Sequence, residues 1–348
     1  MHHYVKYKSM EKVLSIDWLA LWCLSSAGTN WESKKLKQLD YSTRVFHRVC
    51  KYHRDGMDIA VITYRPCSSA LDSRGCIVKF ENWVLYSEDR DKYIGEVLRN
   101  LCLSVQSISR LDLALDFNAF EDDLQPREFI GDFLSCKYLH NGRGKFCVQG
   151  SQQWQCVFEY LRLGTRKSAE CVYLYNKTKE LQEVKDKPYI REMWKACGLD
   201  TDKEIWRLEV SMNSDAVTMY SEETGEIFKL GLGDVLNSDT MLEVYKEKIA
   251  RLFQFKINDN TKNKTRMKTL RLFDFGACQF GRYRGACHKD NTRRERMLLK
   301  SLHKFGERYG FDSMRQGFEL GYVKDRLIRW AGMEDYYLKH KDMWDLQE

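Results

Sequence analysis

Apolar and polar positions alternate with period two over much of the first two thirds of this chain, and the helical period takes over only in places. Period two sends successive side chains to opposite faces of a strand, whereas apolar residues three and four apart mark the stripe of a helix. Residues 109–117 are the clearest case. Leu111, Leu113, Leu115 and Phe117 share one face, and Arg110, Asp112, Ala114 and Asp116 share the other. Further strands are predicted over residues 13–24, 45–52, 57–64, 76–86, 157–163, 171–177 and 204–212. Asp55-Gly56 separates two of these runs, a strong hairpin signal, because the tight turn that joins twisted strands needs residues tolerant of positive φ. A second hairpin turns over residues 164–168, with Gly164 at its start. Helices are predicted over 89–103, with Ile94, Val97, Leu98 and Leu101 on one stripe, and over 126–139, 188–197, 238–255, 291–309 and 323–338.

Hairpin-linked strands interrupted by single helices predict an α+β fold, mainly an antiparallel sheet with flanking helices, followed by a basic helical C-terminal part. After residue 217 the pattern changes character, and a boundary is expected near residue 235, giving a sheet-based domain over 1–235 and an accessory region over 236–348. The chain is long enough for two domains of ordinary size.

Charge adds to this picture. The net charge is only +7, but between Lys262 and Lys304 there are thirteen lysines and arginines against Asp274, Asp290 and Glu295. Such a segment points to a polyanion, and Lys262, Lys264, Arg266, Lys268, Arg271, Arg293, Arg294 and Arg296 are its candidate DNA-binding residues. A solvated basic helix would have the same composition. The twelve cysteines are scattered with no Cys-x-x-Cys, so free thiols in a reducing compartment are expected. No apolar run is long enough for a membrane span, and the expected location is cytoplasmic.

Three strands offer chemistry on one face each. They carry Asp112 and Asp116; Tyr173 and Tyr175 with Lys177 two positions on; and Arg207 with Glu209. If neighbouring strands present these faces to the same side, carboxylates and a phenol converge. Carboxylates from different strands suit a hard divalent cation, Mg²⁺ or Mn²⁺. Such a cation polarises a phosphodiester, and tyrosine attack would then leave a phosphotyrosyl enzyme and one free DNA end. Asp112 and Asp116 lie four residues apart, roughly 13 Å along a regular strand, so only one of them can hold a given ion without a bulge. Asp112 is the expected ligand, and Asp116 is free to pair with a basic residue. A solvated outer face would be the simplest reading of two acids on one strand, but Ala114 between them suits close approach by a ligand.

These residues carry a family resemblance. Leu163-Gly164-Thr165-Arg166-Lys167-Ser168, then Val172-Tyr173-Leu174-Tyr175-Asn176-Lys177 and Glu180, is similar to the signature of the replication initiation factor family. That family comprises plasmid rolling-circle initiators, related phage replication proteins and conjugative-element relaxases. Arg110-Leu111-Asp112-Leu113-Ala114-Leu115-Asp116, Trp206-Arg207-Leu208-Glu209-Val210 and Ile16-Asp17-Trp18-Leu19 resemble three more of its strands, in the same order. Thr165 stands where the family often has Ser, and Asn176 where Asp is commoner.

The resemblance implies a site-specific, metal-dependent DNA nickase with a 5′-phosphotyrosine intermediate. By position, Tyr175 would be the nucleophile, with Tyr173 as its rival on the same face. Asp112 and Glu209 would be metal ligands, and Lys177 and Arg166 would contact phosphate. Origin DNA is the implied partner, with a helicase or other replication proteins and a second copy of the chain as candidates. A conjugative relaxase would have the same chemistry, and a non-catalytic DNA-binding replication factor would keep the sheet without it. No His-hydrophobe-His pair exists, so the two-histidine class of relaxase is not expected.

Overall fold

The computed structural model describes residues 11–142, 145–152, 156–184, 186–220 and 225–283. In chain order the elements are β1 (Lys12–Ser25), β2 (Leu36–Leu39), β3 (Phe46–Arg54), β4 (Met57–Pro66), β5 (Gly75–Phe80), α1 (Asn82–Tyr86), α2 (Arg90–Asn100), β6 (Leu103–Phe117), α3 (Pro126–Leu134), β7 (Tyr138–His140), β8 (Phe146–Gln152), β9 (Cys156–Leu163) and β10 (Glu170–Asn176). They continue with α4 (Lys177–Glu183), α5 (Pro188–Ala196), β11 (Trp206–Asn213), β12 (Thr218–Tyr220), β13 (Ile227–Lys229), α6 (Leu232–Leu236), α7 (Ser238–Leu252), β14 (Phe255–Ile257) and β15 (Cys278–Phe280).

One large sheet runs β2-β3-β4-β5-β1-β6-β11-β10-β9-β8, every neighbour antiparallel, with β15 joining the start of β1 in parallel. The expected α+β class therefore holds. Alternation sets the register. Leu111, Leu113, Leu115 and Phe117 of β6 lie fully buried beside Leu208 and Val210 of β11 and Leu14 and Ile16 of β1. A slip of one residue would turn Asp112 and Asp116 into that apolar layer and forfeit about 1.5–3 kcal/mol for each large side chain expelled. The layer is closed partly by α7, whose Tyr245 hydroxyl donates to the Leu208 carbonyl at 2.8 Å. It also contains a run of mutually packed rings from Phe117, Phe120, Phe129, Phe253 and Phe273.

Several elements differ from expectation, each for a local reason. Residues 76–86 do not form one strand: β5 stops at Phe80 and α1 follows, placing Asn82 and Tyr86 over β1, where both hydrogen-bond Asp17. Helix α3 ends at Leu134 rather than running to 139. Cys136 takes φ 62°, and the Lys137 N–H returns to the Asp132 carbonyl while Cys136 N–H bonds Phe133, a helix-ending motif built without glycine. Residues 138–140 are then free to form β7, which pairs with β14. The Asp55-Gly56 turn is as expected, with both residues at positive φ, 50° and 75°.

The chain separates into two compact units, Met1–Lys289 and Asp290–Glu348, and all described residues belong to the first. Helix α7, which lies beyond the boundary expected near residue 235, buries Val244, Tyr245 and Ile249 within that first unit. The helices expected over 291–309 and 323–338, with Arg293, Arg294 and Arg296, lie outside the described residues. Among the described residues no helix is long and apolar enough to cross a membrane.

Candidate active site

The second face of the sheet carries the polar residues, and the cross-strand register decides which of them meet. Tyr173 lies opposite Glu209, which lies opposite Ala114; Tyr175 lies opposite Arg207, which lies opposite Asp116; Ser211 lies opposite Asp112. The three chemistry-bearing strands β10, β11 and β6 are therefore neighbours with their polar faces on one side. Strand β1 completes the row with Ser15 beside Ala114 and Trp18 beside Asp112. Between Ile16 and Trp18 the register shifts, and Asp17 is the extra residue of this β-bulge.

At one end of this face Arg207 and Asp116 are fully committed to each other and their neighbours. Arg207 and Asp116 are both completely buried. Arg207 Nε donates to Asp116 Oδ1 at 2.6 Å and Nη2 to Oδ2 at 2.7 Å, a two-pronged guanidinium–carboxylate contact. Its Nη1 reaches Asp17 Oδ1 at 2.6 Å, and the Trp194 indole of α5 donates to Asp116 Oδ2 at 2.7 Å. Burial alone would push the Arg207 pKa down, but the Asp116 carboxylate opposes it and the net direction is upward. Asp17 is held well below the ordinary carboxylate range: burial works against this, and Arg207, Lys187 and Lys177 outweigh it. Asp116 thus takes the basic partner that the sequence left open, and both its oxygens are engaged.

Toward the open side the contacts thin out. The Tyr175 hydroxyl donates to Glu209 Oε2 at 2.9 Å, and this is the phenol's link to the carboxylate row. Burial, and then the Glu209 charge, raise the Tyr175 pKa well above its usual value. Glu209 itself is raised to about 7, by burial first and then by the charges of Asp17 and Asp112. Asp112 is nearly buried and gripped by Arg110, Nε to Oδ1 at 3.0 Å and Nη2 to Oδ2 at 2.6 Å, with the Ser211 hydroxyl on Oδ1 at 2.7 Å. Burial nevertheless tips its pKa upward. Tyr173 is half-buried, and burial followed by its contact with Cys171 raises its pKa. A cavity of about 340 Å³ opens beside Tyr175, lined by Tyr160, Asn176, Lys179 and Glu180 among others.

Lys177 does not extend the β10 face. Asn176 caps a helix, its side chain accepting from the Lys179 N–H at 2.9 Å, so the strand ends and Lys177 becomes the first residue of α4. From there its ammonium, paired with Glu180, stands 5.4 Å from the Tyr175 ring centroid. Arg166 is exposed in the β9–β10 turn, at the end of β10 away from Tyr175, roughly 17 Å along the strand. Lys262, Lys264, Arg266, Lys268 and Arg271 are exposed on the segment that follows β14.

Two residues of this site were not singled out by pattern. Lys187 is nearly enclosed beside Asn82, to which it donates at 3.0 Å, and burial lowers its pKa to about 8. Asp17 had a readable signal: the apolar positions run Leu14, Ile16, then Leu19, Leu21, a phase slip that marks the bulge.

The fit to a divalent cation depends on which oxygens remain uncommitted. Among the described residues no three His, Cys, Asp or Glu stand together as a metal site. Asp116 has no oxygen to spare, and Asp112 is engaged through both oxygens by Arg110. Glu209 Oε1 and Asp17 Oδ2 have no hydrogen-bond partner among the described residues. These two oxygens are the ones still available on this face, and Mg²⁺ ordinarily takes only one or two carboxylates, with water and phosphate completing its shell.

No family model matches the chain, and no curated protein matches it. Among solved structures it is similar to the rolling circle replication initiator protein from Geobacillus stearothermophilus, with a TM-score of 0.40 and 14% identity, over 76% of this chain and 93% of that one.

Proposed function

We propose that this chain is a metal-dependent, site-specific DNA-nicking and strand-transfer enzyme that starts rolling-circle replication. The observation that carries the reading is the 2.9 Å contact between the Tyr175 hydroxyl and the Glu209 carboxylate, on adjacent strands and beside Asp112. A phenol needs a base to become a nucleophile at neutral pH, and Glu209 is already at proton-transfer distance. Tyr175 Oη attacks the scissile phosphorus as its proton passes to Glu209, the P–O3′ bond breaks, and the departing 3′ oxygen takes a proton from water to become a 3′ hydroxyl able to prime synthesis. The 5′ phosphate stays on the tyrosine. Arg207 is the cation that favours the anionic form of the phenol, and Lys177, 5.4 Å from the Tyr175 ring centroid, offers a cation to the phosphate.

Mg²⁺ or Mn²⁺ is the cofactor in this reading, with Glu209 and Asp17 to hold it, and Asp112 as a further ligand once Arg110 turns to phosphate. When bound, the cation supplies Lewis acidity at the phosphate. Tyr173, opposite Glu209 on the same face, is the second candidate nucleophile. Arg166 and the Lys262–Arg271 basic residues would contact DNA outside the reacting centre. A conjugative relaxase would use the same atoms.

The test is a nicking reaction on supercoiled plasmid bearing the origin of the element that encodes the chain, with Mg²⁺ or Mn²⁺. The reading expects open circles and a protein–DNA adduct that survives denaturation. Binding with neither product would leave a non-catalytic DNA-binding factor.

A further inference from the structure

The polar face does not end at Asp112. It continues across β6, β1 and β5 into the half-sheet made by β2 to β5. There the opposite face is shut, with Cys50, Tyr52, Ala60, Ile62, Cys76, Val78 and Phe80 buried, and Tyr52 bonded through its hydroxyl to Glu96 of α2. Lys51, Val61, Thr63, Ile77 and Lys79 on the near face stay partly open.

Register places the cations of that face in one row. Lys37 lies opposite Lys51, Lys51 opposite Val61, Val61 opposite Lys79, Lys79 opposite Ala20, and Ala20 opposite Arg110. The row crosses the strands at right angles, with about 4.8 Å per step. Trp18, moved onto this face by the Asp17 bulge, fills the space above small Ala20. Its ring lies 3.6 Å from the Lys79 ammonium and 4.4 Å from the Arg110 guanidinium, so the indole holds two cations apart and in place.

The cations differ in what they already hold. Lys51 is paired with Asp58 at 2.5 Å, and Arg110 spends Nε and Nη2 on Asp112 while Nη1 has no partner among the described residues. Lys79 makes no hydrogen bond or ion pair among the described residues, and its partial burial, only partly offset by Glu81, lowers its pKa. An arriving anion would reverse that cost. Lys37 is exposed.

A single file of cations matches one phosphodiester backbone. A duplex lying across the sheet would need two files separated by about a groove width, ~12 Å. The file also ends on Arg110, which touches Asp112 of the candidate site. Resting on the nicking reading above, we propose that the open face of the β2–β5 half-sheet is a single-stranded DNA track, with Lys37, Lys51 and Lys79 gripping the backbone and Arg110 passing it toward Tyr175.

The experiment is fluorescence anisotropy of the full chain with labelled oligothymidylate and, separately, a labelled duplex, across a salt series. For Lys37→Gln/Lys51→Gln/Lys79→Gln the track predicts at least a tenfold loss of single-strand affinity near ~0.1 M salt. It also predicts a plot of log affinity against log salt flatter by about 2, from about 0.7 per lost phosphate contact, with duplex affinity unchanged. Lys37→Arg/Lys51→Arg/Lys79→Arg should restore binding. Should the triple glutamine variant melt early, exposed Lys37→Gln alone should still flatten the slope by about 0.7. Unchanged single-strand affinity and slope, or an equal loss on duplex, overturns the track. A wild-type chain that forms the covalent adduct while its single-strand binding ignores these lysines refutes the track alone. One that binds through them but forms no adduct refutes the nicking reading instead.

Discussion

Two ends of one polar face, built from the same strands and residue types, behave differently. At the Asp116–Arg207 end each carboxylate oxygen of Asp116 meets a guanidinium, an indole closes over the pair, and both side chains are sealed from water. At the Tyr175–Glu209 end a phenol and a carboxylate share one hydrogen bond, one carboxylate oxygen is uncommitted, and a cavity reaches the ring. Residue type does not separate a sealed ion pair from a hydrogen bond with capacity to spare; saturation of hydrogen-bonding capacity does. Arg207 even sits two positions from Glu209 on the same strand, so sequence proximity is no guide either.

That contrast is easiest to break at its closed end. Arg207→Leu would leave Asp116 buried and unpaired, and should cost about 3–5 kcal/mol of stability, read by denaturant unfolding. If the variant unfolds like wild type, the closed end is not structural. Glu209→Gln removes the proton acceptor and should slow adduct formation by about 10²–10⁴ at neutral pH, measured in single turnover. A loss under tenfold would deny Glu209 that role.

The pH dependence sharpens the difference. Glu209 titrates near 7 in the folded chain against an ordinary 4.5. Between those values the unfolded chain gives up this proton and the folded chain keeps it, so wild-type stability should fall as pH rises from 4.5 to 7 and level off above. Glu209→Gln should lack that component and gain stability relative to wild type toward pH 8. A cation held by Glu209 would favour its carboxylate, so Mg²⁺ should flatten this stability slope and move it to lower pH. A slope unmoved by Mg²⁺ would contradict Glu209 as a ligand. Smallest of all, Tyr175→Phe should change stability by only about 0.5–1.5 kcal/mol, since it removes one hydrogen bond at the open end.

Much of the sheet was legible in the sequence because burial on one face imposes strict alternation, as Leu111 to Phe117 show. Its strand order was not: β6, β11 and β10 meet through pairings separated by long stretches of chain, which local pattern does not encode. Local surprises had local causes. Cys136 ends α3 in a conformation usually marked by glycine, and Asn176 diverts Lys177 from the strand into a helix. Tyr175, Asp112 and Glu209 could be named from pattern and resemblance, while the commitment of Asp116 to Arg207 and Trp194 needed the third dimension. Asp17 was within reach, since the phase slip after Ile16 announces its bulge.

The central claim is that the Tyr175 phenol is the nucleophile. Wild type and Tyr175→Phe, each incubated with Mg²⁺ and a suicide substrate containing the nick site, should be denatured, digested and mapped by mass spectrometry for the nucleotide-bearing peptide. The account predicts a phosphodiester on Tyr175 in wild type and no adduct in the variant, with Tyr173 unmodified in both. An adduct on Tyr173, or one that persists in Tyr175→Phe, would contradict it.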